Sequence, residues 1–224
     1  MLPAVWKVAK FSAWLMFLVG TFLIVRNSVI DFGPAGEGVF IDQRPSMHGR
    51  PLWLLCLRLH VVSGIVCLLS CLPQYSKPLL RRIPSLHRNC GKIYAVSVLC
   101  VLCPTGIYLA VFANGGITGK TGFVLLGVAT FYTTLRGIAL ISGPQRDREG
   151  HQRWITRSFA LVSSAISFRI YHTIFFYAGL PEDLNYPASL WLSILGNVAI
   201  AELLLRQPAR LPHPMISNPD PTIS

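Results

Sequence analysis

The chain has 224 residues, 52% of them apolar and only 13% charged, with a formal net charge of +11. A soluble domain carries about a quarter charged residues, so this composition and a positive mean hydropathy place the chain in a lipid bilayer. Its basic residues fall in short clusters between long apolar runs, which argues against a nucleic-acid partner, and its six cysteines lie mostly inside those runs, which argues against a secreted disulfide scaffold.

Crossing about 30 Å of hydrocarbon takes roughly 20 residues of helix at about 1.5 Å each. Six segments qualify in chain order: Ala9–Val25, Trp53–Leu72, Ile93–Phe112, Thr121–Ile141, Thr156–Ala178 and Ala188–Leu205. The expected fold is therefore all-α, an integral membrane bundle of six helices forming one domain over residues 1–205. The first segment follows Lys7 and Lys10 as a signal peptide would, but no small-x-small cleavage site comes after it, so it is taken as a helix. Residues 26–51, rich in Gly and Pro, are expected as an irregular external loop, and the Pro-rich residues 206–224 as a disordered cytoplasmic tail. Pro104 is expected to kink the third helix.

Lys and Arg alternate with the connections. Lys7 and Lys10 flank the start; Lys77, Arg81, Arg82, Arg88 and Lys92 fill the second connection; Arg146, Arg148 and Arg153 fill the fourth; Arg206 and Arg210 follow the last helix. The acids Asp31, Glu37, Asp42, Glu182 and Asp183 gather in the first and fifth connections. The bias puts both termini in the cytoplasm.

An ionisable side chain at membrane depth costs several kcal/mol unless it faces a cavity, a partner or the interface. Helix two carries Arg58 and His60, helix four Arg136, helix five Arg157, Arg169 and His172, and helix six Glu202. Arg58, Arg136 and Arg157 lie within about five residues of a helix end and can snorkel to the headgroups. Arg169 is about 20 Å from the cytoplasmic end of helix five, in the outer half of the bilayer, with a bound anion, a headgroup or an outer loop as its counter-charge. His60 and His172 are expected at a comparable outer depth, and His87 and His151 at the cytoplasmic ends of helices three and five. Positions 151 and 169 differ by five full turns, so His151 and Arg169 would share one face if helix five begins early. Such histidines also serve as interhelical hydrogen-bond donors, or at the interface as phosphate ligands. Their arrangement at two levels, with arginines nearby, equally fits paired ligands of haem on a bundle, the arginines meeting its propionates. Cys67 and Cys100 are expected at similar depths but more often act as small hydrophobes than as metal ligands.

Leu59-His60 with Gly64 and Leu72-Pro73-Gln74, Leu86-His87-Arg88 with Gly91 and Tyr94, and His151 with Arg153-Trp154 and Arg157 occur in that order. Together with Gly122-Phe123 and Arg169 they resemble a bacterial family of predicted multi-pass membrane proteins catalogued as domain of unknown function 2306, over roughly residues 55–175. The resemblance implies a multi-pass protein of the bacterial plasma membrane and no established reaction. Lys92 stands where the family pattern has Arg, and His172 lies outside it. The architecture is also similar to that of transmembrane b-type cytochromes, as an analogy without a residue motif.

The leading expectation is a haem b electron-transfer protein with His87 and His151 as the inner ligand pair and His60 with His172 as the outer one. Arg169 and Arg136 would neutralise propionates, and quinone or a redox partner protein would supply electrons. The alternatives are a small-solute or lipid-binding transporter or accessory protein with a His- and Arg-lined cavity, and a structural membrane subunit.

Overall fold

A computed structural model describes residues 2–32, 47, 49–75 and 81–206, with side chains from Trp14 to Val29 in the first of these segments. The described residues form six long helices and no strand. They are α1 (Leu2–Phe32), α2 (Pro51–Cys71), α3 (Pro84–Ala110), α4 (Gly116–Ser142), α5 (Arg148–Tyr177) and α6 (Glu182–Leu205). The helices from α2 onward are long and apolar enough to cross a membrane, and α1 adds the apolar stretch Trp14–Val29. The all-α membrane bundle expected from the hydropathy pattern is the observed fold.

Helix boundaries follow local chemistry. Pro51 and Pro84 open α2 and α3 at the position where a missing N–H costs nothing. Asp147 caps α5 by accepting from the Gly150 N–H at 2.9 Å, and Glu182 and Asp183 complement the dipole in the first turn of α6. Helices α3 and α5 begin about two turns before the apolar segments expected for them, because polar, basic turns carry them out of the hydrocarbon. Helix α1 runs on to Phe32, so residues 26–32, expected in the external loop, are helical. Residues 33–46, 48 and 207–224, which include most of that loop, His48, His213 and the Pro-rich tail, lie outside the described residues.

Two helices are irregular in mid-course. In α3 a π-helical turn spans Ser97–Leu102 just before Pro104. Pro104 has no N–H to donate, and the wider turn takes up the mismatch that was expected as a kink. In α5 the regular ladder breaks at Ser163, with helix on both sides, Arg148–Val162 and Ser164–Tyr177. The Ala160 carbonyl at the break accepts from Asn197 Nδ2 of α6 at 3.1 Å. The break means that positions 151 and 169 are not related by five regular turns, contrary to the expected shared face.

Polarity is distributed as a bilayer requires. Large apolar side chains such as Leu55, Val62, Leu125, Phe176 and Leu203 are exposed, while Ser63, Ser70, Thr130, Thr134, Ser158, Ser164, Asn185, Ser189 and Ser193 are buried. Small polar residues let helices approach and supply internal hydrogen bonds, and lipid offers the outward Leu and Phe an environment as apolar as a core. The most extensive packing is between α2 and α3, α5 and α6, and α4 and α5. Apolar packing joins α1, α2, α3 and α5 through Phe17, Ile24, Cys67, Leu68, Val98, Cys103 and Ile166.

At the centre of this packing, Tyr94 of α3, Ser158 of α5 and Thr134 of α4 form a chain of hydroxyls, each link 2.6 Å long. Thr134 donates to the Thr130 carbonyl at 2.7 Å, so it accepts from Ser158, which in turn accepts from Tyr94. Every proton in the chain has a destination, and three helices are fixed at one point. Ser158→Ala leaves the Tyr94 hydroxyl without its acceptor and is expected to destabilise the protein by about 1 kcal/mol in a reversible unfolding titration in detergent, whereas Tyr94→Phe should cost less.

Candidate functional site

A cavity of about 510 Å³ lies among all six helices. Its walls are mainly apolar, with Ile24, Leu57, Leu68, Leu109, Phe123 and Leu190 among them, and His60, Arg169, Thr130 and Ser164 supply polar atoms. The wall residues come from the ends of the helices that the basic-residue tally assigns to the outer half of the bilayer. Trp53 closes one side, almost completely buried, with its indole Nε1 lacking a partner among the described residues.

His60 is held by α3. Its Nδ1 is 3.1 Å from the Leu102 carbonyl, at the end of the π turn, and 3.3 Å from Thr105 Oγ1. Thr105 spends its own proton on the Val101 carbonyl at 2.6 Å, so both neighbours of Nδ1 accept. The proton therefore sits on Nδ1, and Nε2 of the neutral ring is an acceptor with its lone pair free. Gly106 makes this placement feasible: a Cβ there would lie 2.8 Å from His60 Cε1. The conformation of α3 and the absence of a side chain at 106 thus decide where the imidazole sits.

Arg169 reaches the same cavity from α5, its Nη1 donating to the Ala165 carbonyl at 2.8 Å, and stands within electrostatic reach of His60. His172 does not line the cavity. Its Nε2 lies 3.2 Å from Glu182 Oε1 of α6, and its ring packs against Phe168 and Tyr186, with centroids 5.7 and 5.9 Å away. His60 and His172, expected as a ligand pair, have separate partners in the structure, the Leu102 carbonyl of α3 and the Glu182 carboxylate of α6. Arg136 is exposed on α4 and away from the cavity, as a snorkelling side chain should be.

The inner level differs. His87 and His151 come within electrostatic reach of one another, although neither lines the cavity. His151 Nδ1 donates to the Gly137 carbonyl of α4 at 2.7 Å, so the neutral ring presents Nε2 as an acceptor. A Cβ on Gly137 would meet Ile155 Cδ1 at 2.7 Å, so this glycine permits the close approach of α4 and α5. His87 has a buried Nδ1 without a partner among the described residues, and its carbonyl accepts from Gln74 Nε2 at 2.7 Å. Gln74 also lies against Gly91, which brings two separated segments of the sequence pattern together. All six cysteines are free; Cys103, not the exposed Cys100, is near Cys67. No group of three or more His, Cys, Asp or Glu side chains suited to a metal ion occurs among the described residues.

A model of a family described as predicted membrane protein, DUF2306, matches residues 57–205. The chain belongs to that family. No curated protein and no solved structure matches it. The DUF2306 match extends past the segment expected from the motifs to include all of α6, and it contains His60, His87, His151, Arg169 and the glycines 106 and 137.

Inclusion of α6 brings in an ion pair that depth alone did not reveal. Arg157 Nε donates to Glu202 Oε1 at 2.5 Å and its Nη2 to Oε2 at 3.1 Å, while the guanidinium lies 4.8 Å from the Trp154 ring centroid. Arg157 was expected to snorkel; it instead ties α5 to α6 through both carboxylate oxygens. Sequence reasoning missed the pair because 45 positions separate its members. Glu202→Ala should destabilise the protein, and an Arg157→Ala, Glu202→Ala double-mutant cycle in detergent should return a coupling of about 1 kcal/mol, modest because both side chains are partly exposed.

Proposed function

We propose that this DUF2306 protein binds a small amphipathic molecule drawn from the membrane, as a lipid-binding accessory or carrier protein. The observation that carries the reading is the cavity of about 510 Å³, whose mainly apolar walls carry a few polar side chains, His60 and Arg169 among them. Its volume falls within the range of small-molecule sites, about 300 to 1,000 Å³, and its composition is that of such sites: apolar surface for affinity and few polar groups for orientation. Buried apolar area drives little association inside a bilayer, where the competing solvent is itself hydrocarbon. Selectivity must therefore come from shape and from the polar groups, and both are fixed by the helix packing described above.

Filling the cavity tests this. A Cβ on Gly64, which lines it, would make only an ordinary contact, 3.6 Å from Leu102 Cδ1, so Gly64→Leu projects new bulk into the space without a clash at its root. A long-chain amphiphile supplied at about 100 times its Kd should stabilise the wild-type protein by about 2.7 kcal/mol. Gly64→Leu should keep the unliganded stability and lose that increment. Equal behaviour of the two proteins, or no stabilisation of either by any amphiphile, contradicts the assignment.

A second reading is favoured by a single observation, the approach of His87 to His151. The pair could hold the iron of haem b, with His151 Nε2 available for ligation and its Nδ1–H anchored on a carbonyl, the arrangement that fixes ligand histidines in place. The haem would supply one-electron chemistry, and the protein the ligand geometry and surrounding charge. In protein purified from cells supplied with haem precursor, this reading requires a Soret band and an α-band that sharpens on reduction, both lost in His87→Ala and His151→Ala. Colourless, folded protein rejects it and leaves the cavity reading intact.

A further inference from the structure

We infer that the cavity selects a hydroxyl-bearing amphiphile, an aliphatic alcohol or a phenol, whose O–H donates to His60 Nε2. The inference rests on the cavity reading above and adds the chemistry of the head group.

It follows from where the protons in the cavity wall are spent. His60 gives its Nδ1 proton to the Leu102 carbonyl and Thr105 Oγ1, and Nε2 makes no bond with any described residue. Thr130 Oγ1 donates to the Leu126 carbonyl at 2.7 Å. Ser164 Oγ shares its one proton between the carbonyls of Ala160 and Ser193, at 3.4 and 3.3 Å. None of these three side chains has an unspent proton; Ser164 Oγ in addition accepts from Asn197 Nδ2 at 3.4 Å, which leaves His60 Nε2 as the acceptor without a described partner. Donor-bearing side chains also line the cavity, namely Asn27, Ser28, Tyr186, Arg169 and the Trp53 indole, and Trp53 stands two helical turns before His60 on the same face of α2.

An alkyl, ether or ester group satisfies none of the acceptors. A hydroxyl satisfies the one set by α3, and its own oxygen remains open to accept from a donor such as Arg169. The preference should be strong because the site cannot adapt. His60 cannot release Nδ1 without leaving the Leu102 carbonyl, and its ring is wedged against Gly106. A preorganised acceptor left without a proton in hydrocarbon has no water to turn to.

The test uses matched pairs differing only in the hydroxyl proton: hexadecanol against its methyl ether, and a decylphenol against its methyl ether. Each is titrated into the full-length protein in lipid nanodiscs, with binding followed by thermal stabilisation and by the fluorescence of Trp53 against a Trp53→Phe control. The inference predicts that at least one hydroxyl compound binds about tenfold or more tightly than its ether. The better pair identifies the head as aliphatic or phenolic. His60→Phe should remove the discrimination while ether binding persists, and His60→Gln, which keeps an acceptor, should retain part of it. The wild-type comparison stands even if a His60 variant fails to fold. Equal affinity within both pairs overturns the hydroxyl assignment but leaves the cavity reading standing. Absence of binding by all four compounds overturns both.

Discussion

Hydrocarbon offers no hydrogen bonds, so every polar group that enters the bilayer must find its partner within the protein. The rest of this structure depends on that constraint. It requires helices throughout, reverses the usual arrangement by burying serines and threonines while leucines face lipid, and directs His60, His151, Arg157 and His172 to partners on other helices. Where the α-helical ladder is interrupted, the same constraint specifies the repair. Asn197 of α6 covers the Ala160 carbonyl at the break in α5, and His60 of α2 covers the Leu102 carbonyl at the end of the π turn in α3.

The repairs link fold to site. A regular α3 would have no π turn ending at Leu102, and a residue larger than glycine at 106 would displace the imidazole. Satisfying the backbone fixes the tautomer of His60 as a by-product, and the tautomer decides which proton partners the cavity can accept. The irregular turn, the glycine and the ring therefore act as one unit, and substitution at any one of them alters the other two.

The two levels of the bundle are built differently. At the outer level a cavity separates the helices and leaves His60 and Arg169 on its wall, while His172 is withdrawn to Glu182. At the other level α3, α4 and α5 close together through the Tyr94–Ser158–Thr134 hydroxyls, with His87 and His151 beyond them in the first turns of α3 and α5. Away from the cavity, Arg157 and Glu202 join α5 to α6 at the C-terminal end of α6. A bundle tightly joined at one end and spaced at the other can hold a guest without losing its fold.

Much of this was legible in the sequence. Long apolar runs determined the six helices and their approximate limits, because hydropathy acts residue by residue and needs no knowledge of neighbours. That His60, His87, His151 and Arg169 need partners was legible too, since an ionisable group in an apolar run is conspicuous whatever surrounds it. Which groups meet was not. The His172–Glu182, Arg157–Glu202 and His60–Leu102 contacts depend on the order of helices around the bundle, on the break at Ser163 and on the π turn before Pro104. A periodicity of 3.6 assumes regular helices, and each irregularity rotates the side chains beyond it. Sequence alone thus determined that the chain crosses the membrane and which residues are costly there; only the tertiary structure decided how their cost is met, because hydrogen bonds and ion pairs between helices are set by distance in space, not by position along the chain.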